Sequence, residues 1–375
     1  MRIAAITNSR IPSLTANSIQ AMKVCDALTQ LGHDVQLIAP AEAAPVDWPA
    51  LASRYGLKYE FDVLWRPSIR LFRRLDFVWY AQRAAQSFKA DLIYTWLPQS
   101  GAFALRRNYP VVLEMHADVA GRFGAWWLRR FWSGGPRKRM LVTTRALQGA
   151  LERSAGLAFP QECVRVAPNG VDPDRYADLP EPAEARNKLA LPECPTAGFT
   201  GHFYEGRGMD LLFSLARALP AVSFLWVGGT ADAVEQWRAR LSTAQVSNVT
   251  LTGFIENVNL PLYQAAADVL LMPYGTSISS SSGQDIAQVI NPMKMFEYMA
   301  AGRAIITADL PSIREVLDES RAVFCLPGDV NAWKAAIEAL IADPAWRSEL
   351  ARNARKEADN HTWLARARQA LAGME

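Results

Sequence analysis

One segment of the chain places a cation and a carboxylate where both can meet a phosphate-bearing ligand. Lys294 and Glu297 are three positions apart, so in a helix their side chains are neighbours. Asn291 can cap this helix, Pro292 suits its first position and Met293 follows, so the free N–H groups at its start form an anion site. We expect phosphate at this start and ribose hydroxyls at Glu297; a solvent-exposed Lys–Glu pair is the alternative.

A glycine-rich turn between an apolar strand and a helix forms a second candidate site. Its glycines, Gly201, Gly206 and Gly208, let backbone N–H groups approach a phosphate closely. Arg207 lies between two of them and can pair with phosphate oxygens, and His202 stands at the start of the turn. The alternatives are a surface arginine and a structural histidine.

The front half of the chain has polar residues directly after an apolar strand, at Glu114, His116 and Asp118. In a parallel sheet that position is the end where ligands bind. No G-x-S-x-G elbow, Walker A loop or G-x-G-x-x-G turn after the first strand is present, which argues against a serine hydrolase, a P-loop enzyme and a nicotinamide enzyme. His116 is therefore a candidate catalytic residue, with a structural histidine as the alternative.

Short apolar runs alternate with helical-period segments throughout, which is typical of parallel sheets built from βαβ units. The predicted strands are 3–6, 35–39, 92–95, 111–113, 140–143 and 164–167, then 196–200, 222–227, 248–251, 268–272, 304–307 and 322–325. Five prolines within residues 173–195 predict a linker between the two sets. We predict an α/β protein with two doubly wound, Rossmann-like domains that face a central cleft, where function resides.

Composition restricts the other possibilities. The chain has 375 residues, 21% of them charged, and its four cysteines stand far apart, which favours neither a zinc site nor a disulfide framework. The N-terminus lacks a signal-peptide pattern, and no apolar run is long enough to span a membrane. We therefore expect a cytoplasmic protein, with no metal and no nucleic-acid partner, since the net charge is only +3 and no nucleic-acid-binding module is visible.

Taken together, the motifs resemble those of the retaining glycosyltransferases of family 4, which have the GT-B fold. The matching segments are GHDV at 32–35, EMHAD at 114–118, PNGVD at 168–172, TGHFYEGRG at 200–208, ADVLLMPY at 267–274 and NPMKMFEYMAAG at 291–302. The resemblance implies an acceptor-side domain at 1–175 and a nucleotide-sugar-binding domain at 176–359. It also implies that a C-terminal helix at about 360–375 packs back on the first domain.

The resemblance assigns site residues unevenly. The family's diphosphate-binding Arg and Lys fall on His202 and Arg207, so one cation is kept and one is weakened. Its two glutamates, eight positions apart, fall on Val289 and Glu297, so the ribose-binding glutamate is present and the sugar-contacting one is absent. This matches a branch whose motif reads S-P-x-K-x-F-E-Y-M.

Sugar contacts in that branch are expected from backbone N–H groups and from the polar segment before the motif, with Gln284, Asp285 or Gln288 as candidates. The implied reaction moves a glycosyl group from a nucleotide-diphosphate-sugar to an acceptor hydroxyl with retention. Arg207 and Lys294 would stabilise the leaving diphosphate without a metal or any further cofactor, and His116 would hold the sugar.

Two segments of the basic front half, 70–83 and 121–140, interleave arginine with aromatic residues, which suits an anionic bilayer surface. We expect peripheral attachment to the cytoplasmic membrane and a glycan or lipid-linked acceptor for surface polysaccharide or glycolipid synthesis. The alternative places Trp126, Trp127 and Trp132 in the core or an acceptor groove.

Two other functions remain open from the sequence. One is a nucleotide-sugar epimerase of the GT-B type, which needs no acceptor. The other is a non-catalytic ligand-binding or scaffold protein, which the residues at Val289 and His202 make plausible.

Overall fold

The computed structural model describes residues 1–41, 46–68, 75–119, 121–279 and 285–374. The chain forms two compact units. The first contains residues 1–169 together with 363–375, and the second contains residues 170–362. Each unit has a parallel sheet of its own, and each is described by itself below.

The first unit is built on a seven-stranded parallel sheet of order β3-β2-β1-β4-β5-β6-β7. The strands are β1 (Arg2–Ile6), β2 (Asp34–Pro40), β3 (Asp62–Arg66), β4 (Leu92–Thr95), β5 (Val111–Met115), β6 (Lys138–Val142) and β7 (Val164–Val166). The helices are α1 (Ala16–Gln30), α2 (Trp48–Tyr55), α3 (Leu75–Ser87), α4 (Pro98–Arg106), α5 (Gly121–Trp132), α6 (Arg145–Ala155) and, from the chain's C-terminal part, α14 (Trp363–Leu371).

Most of these strands were predicted because they are continuous apolar runs, as expected for strands that helices cover on both faces. Every residue of β4 and β5 is buried, for example. Strand β3 was not predicted. It lies at the sheet edge, where four of its five residues are half-buried and the fifth is exposed, so its sequence DVLWR lacks the apolar signal of a central strand.

The second unit has a six-stranded parallel sheet of order β10-β9-β8-β11-β12-β13. The strands are β8 (Thr196–Thr200), β9 (Ser223–Val227), β10 (Val249–Gly253), β11 (Val269–Met272), β12 (Ala304–Ala308) and β13 (Ala322–Cys325). The helices are α7 (Pro182–Lys188), α8 (Met209–Ala218), α9 (Ala231–Thr243), α10 (Leu260–Ala265), α11 (Met293–Ala300), α12 (Val330–Ala342) and α13 (Pro344–Ala358).

Both sheets have the doubly wound strand order, in which successive strands are added first on one side of the unit's first strand and then on its other side. In the second unit the reversal lies between β8 and β11, and ligands of open α/β sheets bind outside the carboxyl ends of such strands. The segments that follow these two strands begin at Gly201 and Pro273. The fold thus puts the glycine-rich turn at the expected ligand-binding edge of its sheet.

The structure divides the chain at residues 169 and 170, earlier than the predicted boundary after residue 175. The reason is packing, because Val171 and Tyr176 are both buried in the apolar core of the second unit. The predicted linker at 173–195 contains the 3-10 turn Pro173–Tyr176 and helix α7, and Tyr176 already belongs to the second core. The return to the first unit begins at Trp363, near the predicted residue 360.

Candidate functional site

Helix α11 carries the first candidate pair and is fixed to the end of β8. The Thr200 N–H donates to the Tyr298 hydroxyl oxygen over 2.8 Å, and the two hydroxyl oxygens are 3.1 Å apart. Tyr298 is fully buried, and burial raises the pKa of its phenol, which therefore stays neutral. This contact holds the start of the glycine-rich turn against the helix that carries Lys294.

The start of α11 differs from the prediction by one residue. Pro292 has an extended ψ of 132° and is the N-cap, so the helix begins at Met293 and Asn291 is not its cap. Asn291 is 9% exposed and Pro292 is buried, whereas Met293 and Lys294 are half-buried. Because proline has no N–H, the donors at this end come from Met293 onward.

Lys294 lies in an aromatic and apolar environment rather than in solvent. Its Nζ is 3.9 Å from the centroid of the Phe199 ring, and a Cβ added to Gly201 would come within 2.8 Å of it. Burial, and then the positive charge of Arg207, lower the pKa of Lys294 well below its ordinary value, while Glu297 opposes the shift. The charge of Glu297 therefore does not fully offset the effects of burial and of Arg207 on the Lys294 ammonium group.

Arg207 approaches the same aromatic ring as Lys294. The Arg207 Cζ is 5.5 Å from the Tyr274 centroid, and the Lys294 Nζ is 5.6 Å from it, both within cation–π range. Among the described residues, no group accepts a hydrogen bond from the buried Arg207 Nε. Two cations thus share one ring, and burial, together with the repulsion between them, lowers the pKa of Lys294.

Two glycines of the turn are required by close packing. Gly206 has φ +77° and Gly208 has φ +80°, and a Cβ at these positions would lie 2.2 Å from the Ser277 oxygen and 1.8 Å from the Pro273 oxygen. The Gly275 N–H also donates to the Gly206 oxygen over 3.0 Å. The turn is therefore packed directly onto the segment after β11, and this packing fixes the position of Arg207.

Glu297 is half-buried beside the two cations. Its Oε2 accepts from the Gln264 Nε2 over 3.3 Å, and its charge contributes, after burial, to raising the pKa of the Tyr176 hydroxyl. Within the described part of the chain, the buried Tyr176 hydroxyl and the Gln264 Oε1 have no hydrogen-bond partner. These two groups can bind polar atoms of a ligand that reaches Glu297.

The structure therefore brings Gly201, Arg207, Lys294 and Glu297 into one neighbourhood around Tyr274. The ring of His202 stacks on that of Tyr204, with centroids 4.7 Å apart and planes 10° from parallel. The functional roles of Gly201, His202, Arg207, Lys294 and Glu297 remain predictions.

Other predicted positions have different surroundings. Val289 is 9% exposed. Asp285 is exposed, and its Oδ1 accepts from the Ile278 and Ala287 N–H groups over 3.0 and 2.9 Å, so this carboxylate orders its own turn. Gln288 is exposed, and Gln284 lies outside the described residues.

Several residues of this site escaped the sequence analysis, namely Tyr176, Phe199, Gln264 and Tyr274. Tyr274 ends the ADVLLMPY segment and follows β11, so its place after a predicted strand could have marked it as a candidate site residue. Gln264 and Tyr176 come from α10 and from the 3-10 turn Pro173–Tyr176, and no local motif marks either of them.

In the first unit, His116 follows β5 and contacts a buried carboxylate. The His116 Nε2 pairs with Glu114, and its side chain is 22% exposed. Asp118 is turned away from this pair: its Oδ2 accepts from the Ser154 hydroxyl over 2.6 Å, and its Oδ1 from the Val119 N–H over 2.7 Å. Of the polar residues predicted here, Glu114 and His116 act together and Asp118 stabilises the following loop.

The aromatic residues of the front half divide between surface and interior. Trp126 on α5 is 41% exposed, with the Arg130 guanidinium 5.0 Å from its ring. Trp127 and Trp132 are half-buried, and Trp132 stacks on Phe159 with centroids 4.7 Å apart. Residues 70–74 of the other aromatic segment lie outside the described residues. Among the helices that are described, none combines the length and the apolar character that crossing a membrane requires.

Comparisons with known proteins place this architecture in a family. Residues 18–175 match the profile described as Glycosyltransferase Family 4, and residues 194–343 match that of Glycosyl transferases group 1. A GDP-mannose-dependent alpha-mannosyltransferase of Mycobacterium tuberculosis is 24% identical over 344 residues, which cover 87% of this chain and 84% of that protein. A 2-deoxystreptamine glucosyltransferase of Streptomyces kanamyceticus is 25% identical over 56% of this chain, and the match spans only 53% of that relative.

A solved structure shares the fold. Anabaena HepE, in complex with UDP-glucose, superposes with a TM-score of 0.77 at 17% identity and covers 100% of this chain and 99% of its own. Two Rossmann-like units of this topology define the GT-B class. Together with the two family profiles, they show that the chain belongs to the glycosyltransferases of that class.

Proposed function

We propose that this protein is a retaining glycosyltransferase that takes its sugar from a nucleotide-diphosphate-sugar. The observation that carries the proposal is the pair of cations at Tyr274. The Arg207 Cζ and the Lys294 Nζ lie 5.5 and 5.6 Å from one ring centroid, and the Glu297 carboxylate opposes the effect of burial and of Arg207 on the pKa of Lys294. A partly buried site with excess positive charge is stabilised by an anion, and a diphosphate carries that charge.

The proposed donor contacts follow from this arrangement. Arg207, Lys294 and the N–H groups near Gly201 and at the start of α11 bind the diphosphate, and Glu297 binds the ribose hydroxyls. When the bond between the anomeric carbon and the diphosphate breaks, the two cations stabilise the charge that develops on the leaving oxygen. The site needs no metal in this proposal because the protein supplies the positive charge.

The proposed reaction proceeds on one face of the sugar. The bond from the anomeric carbon to the acceptor oxygen forms on the face that the diphosphate leaves, and the acceptor's proton goes to the leaving phosphate oxygen. His116 holds the sugar, and the second unit holds the nucleotide. The configuration at the anomeric carbon is therefore retained.

A donor screen tests the function directly. The full chain is incubated with UDP-, GDP-, dTDP- and ADP-sugars, with and without candidate acceptors and with EDTA, and free nucleoside diphosphate is measured. Acceptor-dependent release that survives EDTA, with an α product from an α donor by NMR, is expected. Release of free sugar without an acceptor would instead identify an epimerase, and binding without turnover a scaffold.

The site assignment has matched controls on the same unit. Arg207→Ala and Glu297→Ala are expected to weaken binding of the best nucleoside diphosphate, because they remove a diphosphate and a ribose contact. Arg217→Ala and Glu235→Ala remove the same side-chain types from exposed positions and leave binding unchanged. Unchanged affinity in both site variants, measured by isothermal titration calorimetry, would contradict the assignment.

We further propose that the acceptor is a lipid-linked or surface glycan, which the protein reaches by peripheral contact with an anionic membrane on its cytoplasmic side. Supporting this, α3 and α5 expose aromatic rings beside arginines. Trp79 is 47% exposed with the Arg83 guanidinium 4.4 Å from its ring, and Trp126 and Arg130 repeat the arrangement on α5. Such pairs suit the interface of a bilayer with anionic headgroups.

Vesicle flotation tests the membrane contact. The full chain is expected to float with phosphatidylglycerol-containing vesicles, less so as salt is raised, and the double variant Trp79→Ala/Trp126→Ala is expected to lose most binding. Trp346→Ala is the control, because Trp346 is also exposed, at 36%, but lies in the second unit. A wild-type protein that stays unbound at moderate salt would end this part of the proposal.

A further inference from the structure

One buried carboxylate of the first unit receives hydrogen bonds from four side chains. Glu114 has a fully buried side chain. Its Oε1 accepts from Gln20 and from the Arg366 Nη2, the latter over 2.6 Å, and pairs with the His116 Nε2. Its Oε2 accepts from the Tyr94 hydroxyl and from the Arg366 Nη1, the latter over 3.0 Å. Arg366 donates to both carboxylate oxygens, and this bidentate geometry makes the ion pair stronger and more specific in orientation.

The arginine comes from a distant part of the chain. Arg366 lies on α14, 252 positions after Glu114, and is itself buried, with 4% of its side chain exposed. Its Nε also donates to the Pro168 oxygen over 3.0 Å. Helix α14 thus inserts a cation into the interior of the first unit directly behind His116.

The pairing decides the charge of the carboxylate. Burial alone would raise the pKa of Glu114, but Arg366 and then His116 outweigh it and hold that pKa well below its ordinary range. An ionised carboxylate has no proton to donate. The His116 Nε2 must therefore be the donor, and Nδ1 is left as the other ring nitrogen, with no hydrogen-bond partner among the described residues.

We propose that Glu114, and Arg366 acting through it, are positioning residues that fix His116 in its Nε2–H form and present Nδ1 to the sugar as a hydrogen-bond acceptor. This inference rests on the proposed transferase function for the identity of the sugar. The tautomer itself does not depend on that function. A sugar hydroxyl is the donor that such an acceptor selects.

The plain alternative is that Arg366 only docks α14. The chain offers a matched control for this, because a second buried arginine anchors the same helix. The Arg139 Nη1 donates to the Gln369 and Ala370 oxygens over 3.2 and 3.0 Å, and Arg139 is 7% exposed. No contact between Arg139 and Glu114 is found among the side chains described. Arg139→Met should therefore weaken helix docking and leave His116 unchanged.

The test is nitrogen NMR on the full chain labelled with ¹⁵N-histidine. The chain has four histidines, and His116→Asn assigns the signal. At about pH 9, His116 is expected to show a protonated Nε2 and an unprotonated Nδ1. Any other protonation pattern in the wild-type protein overturns the proposal, whether or not the variants fold.

The variants then separate positioning from docking. Glu114→Gln and Arg366→Met are expected to give a mixture of tautomers. In Glu114→Gln the amide oxygen can turn toward Arg366, which leaves the amide NH₂ as a donor facing His116. In Arg366→Met the carboxylate loses its cation and can take up a proton, which it can then donate to His116. Arg366→Lys keeps a cation and should restore part of the wild-type pattern, and Arg139→Met should show all of it. Wild-type histidine signals in folded Glu114→Gln and Arg366→Met would overturn the proposal.

Kinetics provide an independent readout. Glu114→Gln is expected to lower kcat by roughly 10- to 100-fold, the usual effect of removing an orienting partner, with little change in nucleotide affinity. In a His116→Asn background the same substitution should cost nothing further, since its effect passes through His116. Additive losses would overturn the positioning role. If no donor is turned over, the proposed function is contradicted. The NMR measurement still tests the His116 tautomer independently.

Discussion

Lys294 shows how costly one charged side chain can be to the ligand-free protein. Its ammonium group lies 3.9 Å from a phenyl centroid and feels the repulsion of Arg207. Desolvation and repulsion both disfavour the charged form, so the pKa of Lys294 falls below the usual lysine value of about 10.4. A bound diphosphate would reverse the balance by favouring the charged form.

This gives a pH dependence whose sign can be worked out. As pH rises through the lowered pKa, the Lys294 ammonium loses its proton, and the affinity for the nucleoside diphosphate should fall by roughly 10- to 100-fold, the equivalent of one charge-assisted hydrogen bond. In the same window the unfolded lysine stays protonated, so the free energy of unfolding of the ligand-free protein should rise with pH. Calorimetric titrations from about pH 7 to about pH 10 measure the first effect.

Lys294→Met should abolish this loss of affinity with pH, whereas Lys188→Met should keep it, because Lys188 is exposed and pairs with Glu184 on the surface. A flat wild-type profile, or an unchanged profile in Lys294→Met, would contradict the assignment of the lowered pKa to a binding residue.

At this scale the sequence was informative where neighbours in space are also neighbours in sequence. Lys294 and Glu297 were found because one helix turn joins them, and Arg207 because glycines surround it. Arg366 could not be found, because nothing in its local sequence reveals a carboxylate 252 positions away. His202, which the resemblance places at the family's first diphosphate-binding position, stacks on the ring of Tyr204, and its role stays a prediction.

Among the elements, the turn between β8 and α8 depends most on backbone conformation. Gly208 has φ +80°, and a Cβ there would lie 1.8 Å from a backbone oxygen. Gly208→Ala should therefore destabilise the second unit by about 1–3 kcal/mol and weaken nucleotide binding, because Arg207 is displaced. Gly302→Ala is the control: its φ is +61°, but no atom lies within 4 Å of the added Cβ. Equal effects of the two substitutions on nucleotide affinity would argue against a packed turn.

The link between α11 and β8 gives a second prediction at this scale. Tyr298→Phe removes the acceptor of the buried Thr200 N–H, which should lower the free energy of unfolding by about 1–3 kcal/mol. Tyr263→Phe removes a hydroxyl from a half-buried ring on α10 and should cost less. Denaturant titration followed by tryptophan fluorescence measures both; equal losses would mean that the contact contributes little.

Element positions were predictable where burial imposes an apolar run, as in β4, whose predicted and observed ends coincide. Prediction failed at β3, whose edge position relaxes the demand for apolar residues. It also failed by one residue at the start of α11, because the extended ψ of Pro292 keeps this proline outside the helix it was expected to begin.

At the scale of the whole molecule, the first unit is discontinuous in sequence, and residues 363–374 complete it. A chain ended at Thr362 would leave Glu114 buried without Arg366, at a cost typical of a broken buried ion pair, about 3–5 kcal/mol. We expect the first unit to lose cooperative unfolding while the second still binds nucleotide. Hydrogen exchange of the two units checks this, and protection of β5 equal to that in the full chain would contradict it.

The resemblance implied a boundary after residue 175, and the prolines implied a linker over 173–195, whereas the contacts divide the chain between residues 169 and 170. Packing and not composition decides to which core a segment belongs. Val171 and Tyr176 are apolar or aromatic residues within a polar stretch, and their burial in the second core is what moves the boundary. A sequence shows where regular structure stops, but not which unit the remaining side chains join.

The return of the chain to its first unit has a consequence for synthesis on the ribosome. The second unit is continuous, so it can fold as soon as its residues emerge, whereas the first must wait, with Glu114 unpartnered, until translation has passed all of residues 170–362. Completion of the first unit would therefore follow translation of the second. A nascent chain that stalls before α14 would carry all residues of the second unit and a first unit whose Glu114 still lacks Arg366.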